Sequence, residues 1–266
     1  MAVELKREAF KIAENFFIEN KFQIPALTVI NSKFPGKVYT DDVEKPEIVL
    51  VWALSRWSYL SCKEILPIHK NFIIDVFNNM IFPLLKELGE DYFEVYTDNN
   101  ILWESILKES LKDCSINKHY ENTFILNTEK FEKSDFSVNL SDDIVICENT
   151  LPVVPEVYNK YYECDKFEKN AFGMAVMKNG DIMSQCVNNG FVHDNRYFID
   201  LDTFNNGERN KGYGTFIAYN LIHNLLKKGL LPVWETTVNN IPSQKVANKL
   251  GFEKIEEYPV YSIENF

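Results

Sequence analysis

The sequence predicts an α/β fold, and three observations carry that reading. Segments of strand-type and helix-type apolar spacing follow one another along the 266 residues. Glycine is unevenly placed: Gly36 and Gly89 are the only two in the first 172 residues, and the other eight of the ten lie from Gly173 onward, so the chain has two parts of different character. Between a strand-like and a helix-like segment of the second part stands Arg209-Asn210-Lys211-Gly212-Tyr213-Gly214, a loop that suits a phosphate-bearing ligand.

In the first part, Ala9, Ile12, Ala13, Phe16 and Phe17 recur at helical spacing and predict a helix over residues 4–19. Short strands are expected at 37–40, 48–53 and 57–62, then a helix over 71–88, a strand at 92–96, a helix over 100–111 and a strand at 119–127. Residues 128–143 form the most polar long stretch and the best linker candidate, which puts a boundary near residue 130. Beyond it, a helix is expected at 156–162 and strands at 172–177 and 182–187, joined by Asn179-Gly180, a pair suited to positive φ. A strand at 197–202 precedes the glycine loop. The helix 215–228 follows, with Ile217, Leu221, Ile222, Leu225 and Leu226 on one face and Lys227-Lys228-Gly229 as its stop. Pro232 is awkward for the centre of a sheet and suits a place where strands separate. A last helix runs from Asn240 to Gly251, and a strand over 254–261 closes the chain.

A composition of 45% hydrophobic and 14% aromatic residues supports well-buried cores. The first twenty residues hold no uninterrupted apolar signal core, and the most apolar later stretch, 72–85, is too short to span a bilayer, so a cytoplasmic protein is expected. The net charge of −11 argues against nucleic acid as a partner and favours a cationic acceptor. Five scattered cysteines without a CxxC pair, and no HExxH, give no metal signature. The glycine loop lacks the GxxxxGK of a P-loop and the three glycines of a dinucleotide fingerprint. It offers instead unpaired helix-start amides, two glycines without a Cβ, and the cations Arg209 and Lys211.

Strand, glycine loop and helix, then the strand Pro232-Val233-Trp234-Glu235-Thr236-Thr237, then Asn240, Ser243, Ala247 and Leu250-Gly251-Phe252 stand in a fixed order. This order resembles the C-terminal part of the GCN5-related N-acetyltransferase (GNAT) superfamily, and more closely a two-part bacterial subgroup that includes zwittermicin-resistance type acetyltransferases. The resemblance covers about residues 130–266. It implies a mixed twisted sheet flanked by helices in that half and acetyl-CoA as co-substrate, with a small amine as acceptor. It implies that the backbone of Arg209, Asn210, Lys211, Gly212, Tyr213, Gly214 and Thr215 receives the pyrophosphate, and that Asn240 and Ser243 lie along the pantetheine arm. Leu201, Asp202, Thr203 and Phe204 would expose backbone groups to that arm where their strand leaves the one containing Pro232. Residues 1–129, by element order and analogy, read as a degenerate copy of the same fold that shapes the acceptor site; residues 63–70 hold no glycine in the corresponding loop.

Acetyl transfer to an amine needs a base. Asp202 and Glu235 sit on the two strands that would flank the thioester, with Asp200 a third choice; a polar face is equally what a half-exposed strand shows. The tyrosine that the family often places seven residues after the helix asparagine is Ala247 here, which leaves the acid unassigned. The turn Asn205-Asn206-Gly207 makes the loop one residue longer than usual. The expectation is therefore an acetyl-CoA-dependent N-acetyltransferase for a small, cationic metabolite or antibiotic. A silent acyl-CoA-binding sensor and a protein N-acetyltransferase remain as alternatives, and oligomeric state is left open.

Overall fold

The computed structural model describes residues 1–17, 23–53, 57–138, 143–148, 150–151, 170–204, 207 and 209–266. The expected helix at 156–162, residues 18–19 of the first helix, Cys164, and Asn205 and Asn206 lie outside the described residues. Two compact units are present: Met1–Glu121 with Pro155–Glu163 and Glu257–Phe266, and Asn122–Val154 with Cys164–Glu256. Both combine parallel and antiparallel strand pairs with flanking helices.

In the first unit β1 (Val3–Glu4), β2 (Lys37–Thr40), β3 (Ile48–Trp52) and β4 (Trp57–Cys62) pair antiparallel in sequence. β4 then pairs parallel with β5 (Tyr92–Tyr96), from Trp57 opposite Glu94 to Tyr59 opposite Tyr96. The first residues thus open as a strand, and the expected helix is a 3₁₀ turn sequence, Arg7–Phe16, whose buried Phe10 and Ala13 recur at the three-residue period of that helix. α1 (Ile24–Ile30) has every residue buried, so it presents no amphipathic period for sequence reading. The helix linking β4 to β5 runs as α2 (His69–Val76), a π-turn (Phe77–Ile81) and α3 (Phe82–Leu88). Pro83 lacks the N–H that would bond back one turn, and the helix widens just before it. α4 (Leu102–Ser110) follows β5. Trp52, Phe77, Phe93 and Trp103 are fully buried in this unit's core, with Trp52 edge-on to Phe93 at 5.6 Å.

β6 (Ser115–Leu126) is divided by the unit boundary, and Asn122–Leu126 belong to the second unit. The polar stretch expected as a linker begins with α5 (Thr128–Glu132), capped by Asn127 Oδ1, which accepts from Lys130 N at 3.1 Å. Phe131 in α5 is 1% exposed and lies 4.9 Å from the Tyr219 ring, so the segment is anchored in the core.

β7 (Ile144–Glu148), β8 (Gly173–Lys178), β9 (Asp181–Val187) and β11 (Arg196–Thr203) pair antiparallel in turn, and β10 (Val192–His193) folds against the start of β11. The β8–β9 turn places Asn179 at φ 52° and Gly180 at φ 90°, as the Asn-Gly pair predicts. β11 pairs parallel with β12 (Leu231–Thr237) through α6 (Tyr213–Leu226). After α7 (Ile241–Lys249) comes β13 (Phe252–Glu264), whose residues from Glu257 belong to the first unit and pair antiparallel with β5. Both units therefore share one plan, four antiparallel strands leading into a parallel β–α–β, and the last strand of the chain completes the first unit.

Candidate active site

β11 and β12 stay in register from Arg196 opposite Leu231 to Ile199 opposite Trp234. Beyond that rung β11 continues to Thr203 with β9 alone as its described partner there, so the parallel pair is open from Asp200 onward. Leu231 N donates to Asn195 O at 2.7 Å, which fixes the alternation along both strands. On β11 the odd-numbered residues turn their N–H and C=O toward β12, so beyond Ile199 the backbone groups of Leu201 and Thr203 face the opening. Those of Asp202 and Phe204 turn to β9: Asp202 O accepts from Ser184 Oγ at 2.8 Å, and Phe204 N donates to Met183 O at 3.0 Å. Phe204 thus has its amide occupied and its side chain 58% exposed.

Pro232 is not at the separation, contrary to the sequence expectation: it lies inside the paired stretch, opposite Tyr197. Leu231 uses the edge toward β11, so the nitrogen of Pro232 faces the other way and the β11–β12 ladder loses no bond to it.

At the open end the chain enters the glycine loop. Asn210 has φ 63° and Gly212 φ 87°, and Gly212 is the N-cap of α6. Phe216 N donates to Gly212 O at 3.0 Å, so the amides of Tyr213, Gly214 and Thr215 precede the first bonded turn and point into the loop. The two glycines have different reasons. A side chain at Gly212 would meet a left-handed backbone, whereas a Cβ at Gly214 would point inward, 3.4 Å from Leu201 Cδ2 and 3.5 Å from Ser184 Oγ. Position 214 thus faces the sheet and not the loop, and a Cβ there would sit in ordinary van der Waals contact. Arg209 Nε donates to Thr203 O at 3.4 Å, tying the exposed loop to the strand end, and Lys211 is exposed beside it. Tyr213 is 7% exposed and turns its ring into the core, leaving only its backbone to the loop.

Asn240 caps α7, its Oδ1 accepting from Ser243 N at 3.2 Å, and Ser243 Oγ accepts from Trp234 Nε1 at 2.9 Å. Gln244, which sequence reading passed over, donates through Nε2 to Thr237 O and Val238 O at 3.2 and 2.7 Å and holds the turn after β12. Ala247 is fully buried in the core.

Ile199 and Trp234 share the α6 side of the sheet, so by alternation Asp200, Asp202 and Glu235 lie together on the opposite face. Asp202 is exposed. Glu235 is half-buried and accepts from Thr123 Oγ1 of β6 at 3.3 Å, while Asp200 accepts from Asn189 Nδ2 at 2.7 Å. His193 ends β10, its Nε2 3.5 Å from Asp194 Oδ2. Among the described residues the four cysteines are free thiols; burial pushes Cys62 up to about 12, which makes it a poor nucleophile.

A parallel strand pair that parts beside an amide-lined helix start is an opening of the kind in which α/β proteins bind anion-bearing ligands. The chain belongs to the GNAT acetyltransferase family, whose family model matches residues 16–261. It is similar to the uncharacterized N-acetyltransferase YdfB of Bacillus subtilis (strain 168), 22% identical over 264 residues, with 97% of each chain covered. In fold it is similar to a GCN5-related N-acetyltransferase-like protein of Streptococcus suis 89/1591, with TM-score 0.68, 17% identity and 97% and 99% of the two chains covered. It is also similar to a tandem GNAT protein from the clavulanic acid biosynthesis pathway, with TM-score 0.62, 9% identity and 100% and 98% covered. Members of this family use acetyl-CoA as co-substrate and transfer to an amine. No helix among the described residues is long and apolar enough to cross a membrane.

Proposed function

We propose that this protein acetylates a primary amine of a small, cationic metabolite or antibiotic in the cytoplasm. The observation that carries the reading is the opening of β11 from β12 after Ile199, with the start of α6 at its mouth and three carboxylates on the face away from α6. In this reading the amides of Tyr213, Gly214 and Thr215, with Arg209 and Lys211, hold the pyrophosphate, and Asn210 and Gly212 shape the loop around it. The inward-facing N–H and C=O of Leu201 and the N–H of Thr203, whose carbonyl accepts from Arg209, hold the pantetheine arm as a third strand would. Asn240 adds its Nδ2, since its Oδ1 is used as a cap, and Ser243 fixes the start of α7.

Acetyl-CoA supplies the acyl group as a thioester; the chain has to deprotonate the acceptor ammonium and hold it in line. Asp202 and Glu235 are the bases proposed, on one face of the two parting strands, and with Asp200 they attract a cation. A thiol-release screen of amines tests this with wild type, Asp202→Asn and Glu235→Gln. Loss of rate in one variant identifies the base, and equal rates in all three refute both assignments.

Ala247 favours a second reading, an acyl-CoA-binding sensor without catalysis, because a fully buried methyl offers the departing thiolate no proton. Tight binding of acetyl-CoA without thiol release across the amine panel would select it.

A further inference from the structure

Ser184 and Thr203 face each other across β9 and β11, at the last residue of β11 before the glycine loop. The Ser184 hydroxyl is fully buried, 2.8 Å from Asp202 O and 3.1 Å from Thr203 Oγ1. It also lies 3.5 Å from where a Cβ on Gly214 would be, directly under the first turn of α6.

The proton count in this group has one solution. A carbonyl oxygen only accepts, so the single hydroxyl proton of Ser184 is given to Asp202 O. The contact between the two hydroxyls must then be Thr203 donating to Ser184. Both protons are consumed inside the protein, and Thr203 Oγ1 is left with lone pairs and no proton to give. It sits on the residue whose own N–H and C=O face the opening between β11 and β12.

We propose that Ser184 and Thr203 form a hydroxyl relay that makes Thr203 Oγ1 an acceptor for an amide N–H of the donor's pantetheine arm. This rests on the acyl-CoA reading above and adds a side-chain contact to it. An ionised phosphate oxygen has no proton to offer, so the relay disfavours the pyrophosphate at this position and selects the arm, which carries amide N–H groups. Ser184 is a positioning residue: it touches no ligand and works by absorbing the proton of Thr203.

Calorimetric titration with two probes separates the possibilities: CoA, and adenosine 3′-phosphate 5′-diphosphate, which keeps the pyrophosphate and lacks the arm. Thr203→Val should weaken CoA roughly three- to tenfold, the worth of one hydrogen bond, and leave the nucleotide unchanged. Thr203→Ser should bind both probes as wild type does, and Ser184→Ala should weaken CoA selectively. Unchanged CoA affinity in Thr203→Val overturns the relay, and so does equal weakening of both probes, which would mean that the phosphate loop itself had shifted. A wild-type protein that binds neither probe would instead refute the acyl-CoA reading on which the relay stands.

Discussion

Gly212 and Gly214 make a matched pair for testing what the glycine loop requires. At Gly212 the backbone sits at φ 87°, and an alanine there would hold an L side chain in the left-handed region at a cost of about 1–2 kcal/mol. Space is not the obstacle, since the nearest atom to an added Cβ is Val138 Cγ2 at 3.4 Å. At Gly214 the backbone has no such φ, and an added Cβ would make ordinary contacts at 3.4 and 3.5 Å with Leu201 and Ser184. An alanine inside α6 should therefore be neutral or stabilise by up to about 1 kcal/mol, because it narrows the unfolded ensemble. Thermal melting monitored by circular dichroism should show Gly212→Ala lowered by about 2–6 °C and Gly214→Ala at or slightly above wild type. A Gly212→Ala protein as stable as wild type, or a Gly214→Ala protein as destabilised as its partner, would refute the distinction between conformation and packing. Titration of the same proteins with CoA should follow the same order, since a displaced Gly212 turns the Tyr213, Gly214 and Thr215 amides away from the loop.

Phe131→Ala should cost about 3–5 kcal/mol in urea unfolding, as for a buried aromatic, whereas a linker residue would change stability by less than about 0.5 kcal/mol. His69 is held below its ordinary pKa by burial, against the opposing pull of Asp41 and Glu47, and its Nδ1 accepts from Leu66 N at 3.3 Å. The unfolded chain therefore takes up a proton below pH about 6.5 that the folded chain resists, and stability falls with pH in that window. His69→Gln should flatten the decline in melting temperature between neutral pH and about pH 5; an unchanged slope would exclude His69 as its source.

Much of this architecture is legible because local chemistry and tertiary role agree. β2, β4 and β5 fall at the expected residues, and the Asn179-Gly180 turn and the Gly229 stop after α6 follow from backbone preference alone. α1 is hidden because a helix buried on all sides has no polar face to reveal its period. α5 is hidden because its polar residues outvote Phe131, the one side chain that decides its place. The loop at Arg209–Gly214 is readable as an anion site from residue types, but that position 214 faces the sheet and not the loop shows only in the distance to Leu201. Pro232 signals a missing ladder donor, and only the direction of the Leu231 amide shows that it faces away from β11. Ser184 and Thr203 are 19 positions apart and carry no motif; their register makes them a unit.

The allocation of β13 to the first unit sets an order of completion during synthesis. Val260 stands opposite Tyr96, and Tyr261 and Ile263, both fully buried, fill the core around Phe93 and Trp103. β5 thus leaves the ribosome well before the strand that covers its edge, which stays unpaired through translation of everything between. A chain cut short after Glu256 would keep the whole glycine loop and still expose that edge, with its row of N–H and C=O groups, to pairing with another molecule.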